Sequence, residues 1–327
     1  MEPHPQTCRM QKGAFMVAVI IIAAIIVLAC IAAYLMANMF ANIVVHPNVH
    51  TYEYSREQVM KHCTIDPLSV LENHKVEEFR YKSEFGYELY GRIIRADGSV
   101  QFPDGRQRTV ILSHGWTSNH ITMLSYGKLY QELGFNIVAY DHRFHGNSER
   151  NTYCTMGLLE SRDLIGLATY VKQFFPEDTI WGVQGESMGS ATAMQAAPEM
   201  KWLSFIVEDC GFSSMRGQMA ATLDNKKLPH FPILNVGSLI LKTRYHLDMD
   251  KINAMEALKQ TDTPMLFCQG SADTFVPARM IHEVYAAKKD KKEIHVFENS
   301  EHAESIWDHT DEYRQVLKDF LKKYEII

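Results

Sequence analysis

A serine stands between two glycines in Gly185-Glu186-Ser187-Met188-Gly189, directly after the apolar run Ile180–Gln184. Small, helix-compatible residues follow, Ser190–Ala197. The reading is strand, sharp turn, helix, the setting a G-x-S-x-G nucleophile elbow requires. Such a turn strains the serine backbone, so glycines must leave room around it. The helix that follows aims its N-terminal N–H groups at the serine, where negative charge would develop.

A serine needs a base to take its proton and an acid to orient that base. In a parallel α/β sheet both belong on loops at the carboxyl ends of strands. Asp273 lies on the loop 270–277 after the apolar run Met265–Gln269, and His302 lies on the loop after Ile294–Phe297. The order Ser187, Asp273, His302 is Ser…acid…His, as an α/β-hydrolase triad demands. Asp209, at the end of the preceding run, is the competing acid. His114-Gly115-Trp116 follows the run Thr109–Ser113 and can present a backbone N–H. The expected oxyanion donors are therefore the N–H groups of Trp116 and Met188, with His114 a structural hydrogen-bonding residue. Asp141–Ser148 gathers an aspartate and two histidines. With no second cluster at ligand spacing it reads as a loop held by Asp–Arg contacts, and no metal or cofactor is expected.

The elements that must position these residues alternate along the chain. Strands are expected at 76–82, 87–95, 109–113, 136–140, 180–184, 204–208, 265–269 and 294–297. Helices are expected at 123–133, 156–175 and 311–324, besides the one after the elbow. This rhythm predicts a mostly parallel sheet covered on both faces, with an antiparallel pair at its N-terminal edge. The interval 215–262 breaks the rhythm and is expected to be a small helical cap over the strand ends. Residues 41–75 read as a connecting arm with a short helix near 55–62, and 76–327 as the catalytic domain.

The 327 residues are 46% hydrophobic and 22% charged with a net charge of −6. That balance and a pI near 6.2 give no electrostatic footprint for nucleic acid. Four of the six cysteines, Cys63, Cys154, Cys210 and Cys268, lie beyond the apolar N-terminal segment in no zinc or C-x-x-C pattern. From Ala14 to Phe40 there is no charge, a run long enough to cross a bilayer. It is too long for a signal-peptide core, and Val27-Leu28-Ala29-Cys30 is a poor lipoprotein box. Arg9 and Lys12 precede it and the next basic residue is Arg56. The expectation is a single-pass cell-membrane anchor over 14–40, residues 1–13 cytoplasmic, and the rest extracytoplasmic.

With these residues in hand, the chain resembles the α/β-hydrolase superfamily over about residues 75–325. The resemblance rests on His114-Gly115-Trp116, Asp141–Ser148, Gly185–Gly189, Asp273 with Val276-Pro277, and His302. Within the superfamily it looks like membrane-anchored serine hydrolases of Gram-positive bacteria, often grouped with serine aminopeptidase-like or prolyl-oligopeptidase-like domains. The resemblance implies an eight-stranded sheet and a cap after the sixth strand. Phe144 departs from the family loop, where a glycine is usual. The function expected is a carboxylesterase acting on a small acyl ester through an acyl-enzyme. The alternatives are a serine peptidase or aminopeptidase, a lysophospholipase, and an inactive hydrolase fold serving as a binding module.

Overall fold

The computed structural model describes residues 5–327, with side chains from Phe15 onward. The expected cytoplasmic tail, with Arg9 and Lys12, lies outside the described residues or side chains. The sheet is built from β1 (Val76–Lys82), β2 (Glu88–Ile94), β3 (Arg108–Ser113), β4 (Asn136–Tyr140), β5 (Ile180–Glu186), β6 (Phe205–Asp209), β7 (Met265–Gly270) and β8 (Lys292–Phe297). Its order is β1-β2-β4-β3-β5-β6-β7-β8. β1 pairs antiparallel with β2, and β2 antiparallel with β4; every later pairing is parallel.

β3 to β7 are buried along their whole length, as strands covered on both faces must be. One face is covered by α4 (Leu124–Glu132) and α12 (Thr310–Lys323), whose Leu129, Leu317 and Phe320 pack on Val110 and Val207. The other carries α5 (Leu158–Val171), α6 (Met188–Ala196) and α10 (Arg279–Ala287) around Val183, Ile206 and Phe267. A third apolar cluster lies over the strand ends, between the cap and the N-terminal helix. The cap after β6 consists of α7 (Met215–Asn225), α8 (Ile233–Arg244) and α9 (Ala254–Leu258), where a helical insertion was expected.

The N-terminal helix, α1 (Pro5–Val45), runs past Phe40, where the sequence had suggested that the span ends. The reason is packing. Ala37, Ala41, Val44 and Val45 are buried against the cap. Asn38 and Asn42 accept from Arg244 and the Tyr245 hydroxyl at 2.8 and 2.7 Å. The arm therefore begins after Val45. It holds α2 (Tyr52–His62), capped by Thr51, and α3 (Ser69–Glu72); α11 (Ser305–Asp308) follows the His302 loop.

Candidate active site

Ser187 stands between β5 and α6 with φ 53°, a left-handed backbone that a non-glycine residue adopts only under constraint. Its flanking glycines are required. A Cβ on Gly185 would lie 2.6 Å from the Ser190 backbone, and one on Gly189 would lie 1.9 Å from the Ser113 carbonyl oxygen. The Ser187 N–H donates to the Asp209 carbonyl at 2.8 Å, which fixes the turn against β6.

The structure brings the three residues together. His302 Nε2 lies 2.9 Å from Ser187 Oγ, and His302 Nδ1 lies 2.7 Å from Asp273 Oδ2. Asp273 is itself held. Its Oδ1 accepts the Phe275 and Val276 N–H groups at 2.9 and 2.8 Å, and its Oδ2 accepts from Gln269 Nε2 at 2.6 Å. The cap supports the same loop, since Gln218 of α7 donates to the Phe275 carbonyl at 2.7 Å. Asp273 is buried, whereas the imidazole is one-fifth exposed and can be reached. Asp209, the competing acid, turns to Tyr126, whose hydroxyl it accepts at 2.9 Å.

The proposed oxyanion donors lie on the turn after β3 and at the start of α6. The N–H groups of Trp116 and Met188 make no hydrogen bond to the described residues. Gly115 lies beside Ser187, where an added Cβ would come within 3.5 Å of the serine Cβ. His114 is fully buried and accepts the His142 N–H at 2.9 Å. Burial, with His142 and His145 beside it, pushes its pKa well below the usual histidine value, so it is a neutral structural group.

The 141–148 loop is braced differently from the expectation in one respect. Arg143 pairs with Asp163 of α5 at 2.8 Å, while Asp141 accepts from His120, Tyr52 and the Asn147 N–H. Phe144 adopts φ 68°, so the loop keeps a glycine-like conformation without the glycine. Its ring meets His46 edge-on at 5.6 Å, just past the end of α1. Among the described residues, the one cluster with converging metal-ligand atoms is Cys210, Asp273 and His302, inside the site itself. The described cysteines, Cys30, Cys63, Cys154, Cys210 and Cys268, are all free.

Three features escaped the sequence reading. Under the site lies a layer of acids. Burial, reinforced by Asp209, raises Glu186 to about 7; burial raises Asp209 to about 6 against the Tyr126 bond, and pushes Glu208 well up. Glu186 precedes the serine and Asp209 is the competing acid of the sequence reading, so what escaped is their joint burial with Glu208. Phe275 leans on His302 at 4.9 Å between ring centroids. The third is that two cavities meet at Ser187. One, about 590 Å³, is lined by Met36, Met39, Phe40 and Ile43 of α1 with cap residues. The other, about 500 Å³, is lined by His50, Tyr54 and Gln58 of the arm with Thr117 and Ser118. Trp116 and Phe275 border both.

A family model described as the alpha/beta hydrolase fold matches residues 108–201, from β3 through the elbow. An uncharacterized Bacillus subtilis protein, YqkD, is 29% identical over 271 residues, 81% of this chain and 86% of that one. Among solved structures, an esterase of Pyrococcus furiosus is similar at 25% identity, with a TM-score of 0.62. That match covers 80% of this chain and 94% of the esterase. An acylaminoacyl peptidase of Pyrococcus horikoshii is similar at 16% identity and a TM-score of 0.59, over 79% of this chain and 43% of its own. That last likeness speaks to the fold alone.

Proposed function

We propose that this chain, a member of the α/β-hydrolase superfamily, is a membrane-anchored serine hydrolase that cleaves carboxylic esters. The observation that carries the reading is the line from Asp273 through His302 to Ser187, at 2.7 and 2.9 Å, on a strained elbow. Ser187 Oγ attacks the acyl carbon while His302 Nε2 takes its proton. The Trp116 and Met188 N–H groups receive the oxyanion, and Asp273 keeps Nδ1–H directed at itself. His302 then passes the proton to the leaving oxygen as the ester C–O bond breaks. Water enters by the same route, and the acyl-enzyme yields the free acid and Ser187.

Esters are favoured over amides because an alkoxide leaves with less protonation than an amine, and because no peptide-gating domain occurs among the described residues. The Pyrococcus esterase supports this reading, while the acylaminoacyl peptidase keeps peptide amides as the second one. Retention of α1 as an anchor is supported by its packing. Cleavage within the apolar run would remove a helix whose last turns are buried under the cap.

A fluorophosphonate probe tests the chemistry. Labelling at Ser187, absent in Ser187→Ala, is expected; a folded wild-type protein that never labels belongs to the binding-module class instead. Protease treatment of intact cells tests topology. Digestion of the domain from outside is expected, and a protected domain would reverse the orientation.

A further inference from the structure

From Phe15 to Leu35 every side chain of α1 except Ala33 is exposed. Those 21 residues span about 31 Å at 1.5 Å per residue, the thickness of a bilayer's hydrocarbon core. At Met36 the helix changes character. Ala37 and Ala41 are buried, and Asn38 and Asn42 hydrogen-bond to the end of α8. The bilayer surface therefore falls near Met36, the residue at which the 590 Å³ cavity begins. That cavity runs from there to Ser187 between Phe40 of α1 and Phe212 and Met219 at the cap. Two cap residues, Phe231 at 77% exposure and Leu239 at 60%, are apolar side chains suited to the interface.

The cavity beyond Ser187 is more mixed. Hydroxyl, amide and imidazole groups border it together with the rings of Trp116, Phe275 and Trp307, and its described lining holds no Lys or Arg. The carboxyl group in it belongs to Glu186. Such a lining suits a neutral alcohol that offers hydroxyl groups and gives a phosphate no counter-charge.

We propose that the substrate is a single-chain fatty acyl ester of a neutral polyol, drawn from the bilayer, and that α1 forms one wall of its acyl pocket. The inference rests on the serine-hydrolase and anchor readings above. A chain already lying in the lipid enters alongside Met36, Met39 and Ile43 without crossing water, and the ester group stops at Ser187. A cavity of this size takes one chain of drug-like bulk. Hydrolysis consumes one water and yields a fatty acid, returned toward the lipid, and a free polyol, released through the arm side.

The test uses the full-length protein in phosphatidylcholine vesicles with monoacylglycerols of four to sixteen acyl carbons. The kcat/KM for monolauroylglycerol is expected to exceed that for monobutyrylglycerol at least tenfold. Met39→Trp, which fills the cavity, should shift the preference to shorter chains, and Met39→Ala, which enlarges it, to longer ones. A misfolded protein cannot produce shifts in both directions. Ile22→Trp, on the same helix within the lipid, should leave the preference where it was. Lauroyl lysophosphatidic acid is expected to be turned over at least tenfold less efficiently than monolauroylglycerol. If wild-type Ser187 labels with fluorophosphonate but neither Met39 variant moves the preference, the acyl-pocket inference is wrong and the hydrolase reading stands. Equal turnover of the phosphate ester overturns the neutral headgroup. A wild-type protein that does not label removes both the inference and the reading beneath it.

Discussion

The two cavities that meet at Ser187 are close in volume, about 590 and 500 Å³, and they differ in what builds them. The first is walled by α1 and the cap, elements that carry methionine, phenylalanine and leucine toward each other. The second is walled by the arm and the turn after β3, which supply His50, Tyr54, Gln58, Thr117 and Ser118. The sheet contributes Glu186 to the second and none of the residues lining the first. The rest of both walls comes from segments outside the sheet, one of them the long N-terminal helix. The lining of both cavities therefore comes mostly from additions to the fold, which is why fold likeness leaves the substrate open.

The largest effects should be blind to the difference between the two sides. Ser187→Ala is expected to lower kcat about 10⁴-fold or more on every ester, whatever its chain or alcohol, since it removes the attacking atom. Asp273→Asn should cost on the order of 10³- to 10⁴-fold, while Asp209→Asn, whose carboxylate meets Tyr126, should cost far less. Rates on p-nitrophenyl acetate check both. An Asp209→Asn loss that matches or exceeds that of Asp273→Asn would reassign the acid.

A smaller effect belongs to the polar side, where Glu186 borders the cavity. Its pKa rises from 4.5 to about 7 by burial and the neighbouring Asp209, with His302 opposing. A carboxyl group that holds its proton in the folded protein and loses it in the unfolded chain stabilises the fold at low pH. That stabilisation is complete below about 4.5 and is lost as pH rises through about 7. For Glu186 this amounts to on the order of 3 kcal/mol, shared with Asp209 because the two titrate together. The neutral buried histidines, His114 among them, act in the opposite sense below about 6.5, so the test is a difference: from pH 4.5 to 8 the Tm of Glu186→Gln should rise relative to that of the wild type. A slope that the substitution leaves unchanged would place the titration elsewhere.

The same contrast explains what could be read in the sequence. The strands were legible because a buried parallel strand is a short apolar run between turn residues, as in Asn136–Tyr140, which the structure reproduces residue for residue. The elbow, Asp273 and His302 were legible because each follows such a run. The walls were not. An apolar helix in an apolar medium and one facing a protein cap use the same residues, so the apolar positions of Ala37–Val45 did not announce the change of partner. Asn38 and Asn42 were the available signal, since two amides four residues apart in an apolar helix need partners. Phe144 at φ 68° was opaque for another reason. Its ring meets His46 from the end of α1, a contact that the local sequence does not reveal. The Arg143–Asp163 pair joins a loop to a helix twenty residues on, a distance over which charge alone predicts no partner.

The last and smallest effect joins the two walls at one side chain. Trp116 borders both cavities, and its indole Nε1–H donates to the Val44 carbonyl at 3.3 Å, in the final turn of α1. Its backbone N–H is the proposed oxyanion donor. The N-terminal helix is thus tied through one residue to the turn that would hold the developing charge. The bond is long, so its net worth lies at the low end of the usual range, about 0.5 kcal/mol. Trp116→Phe keeps an aromatic wall, smaller by the pyrrole ring, and removes the donor. It should lower turnover of long-chain esters two- to threefold, with a smaller change for acetate, because the helix wall is what the bond holds in place. An equal loss on both substrates would mean that the turn itself had moved. No loss on either would mean that α1 is held by its packing on α8 and by the Cys154 N–H, which donates to the Val45 carbonyl at 2.9 Å.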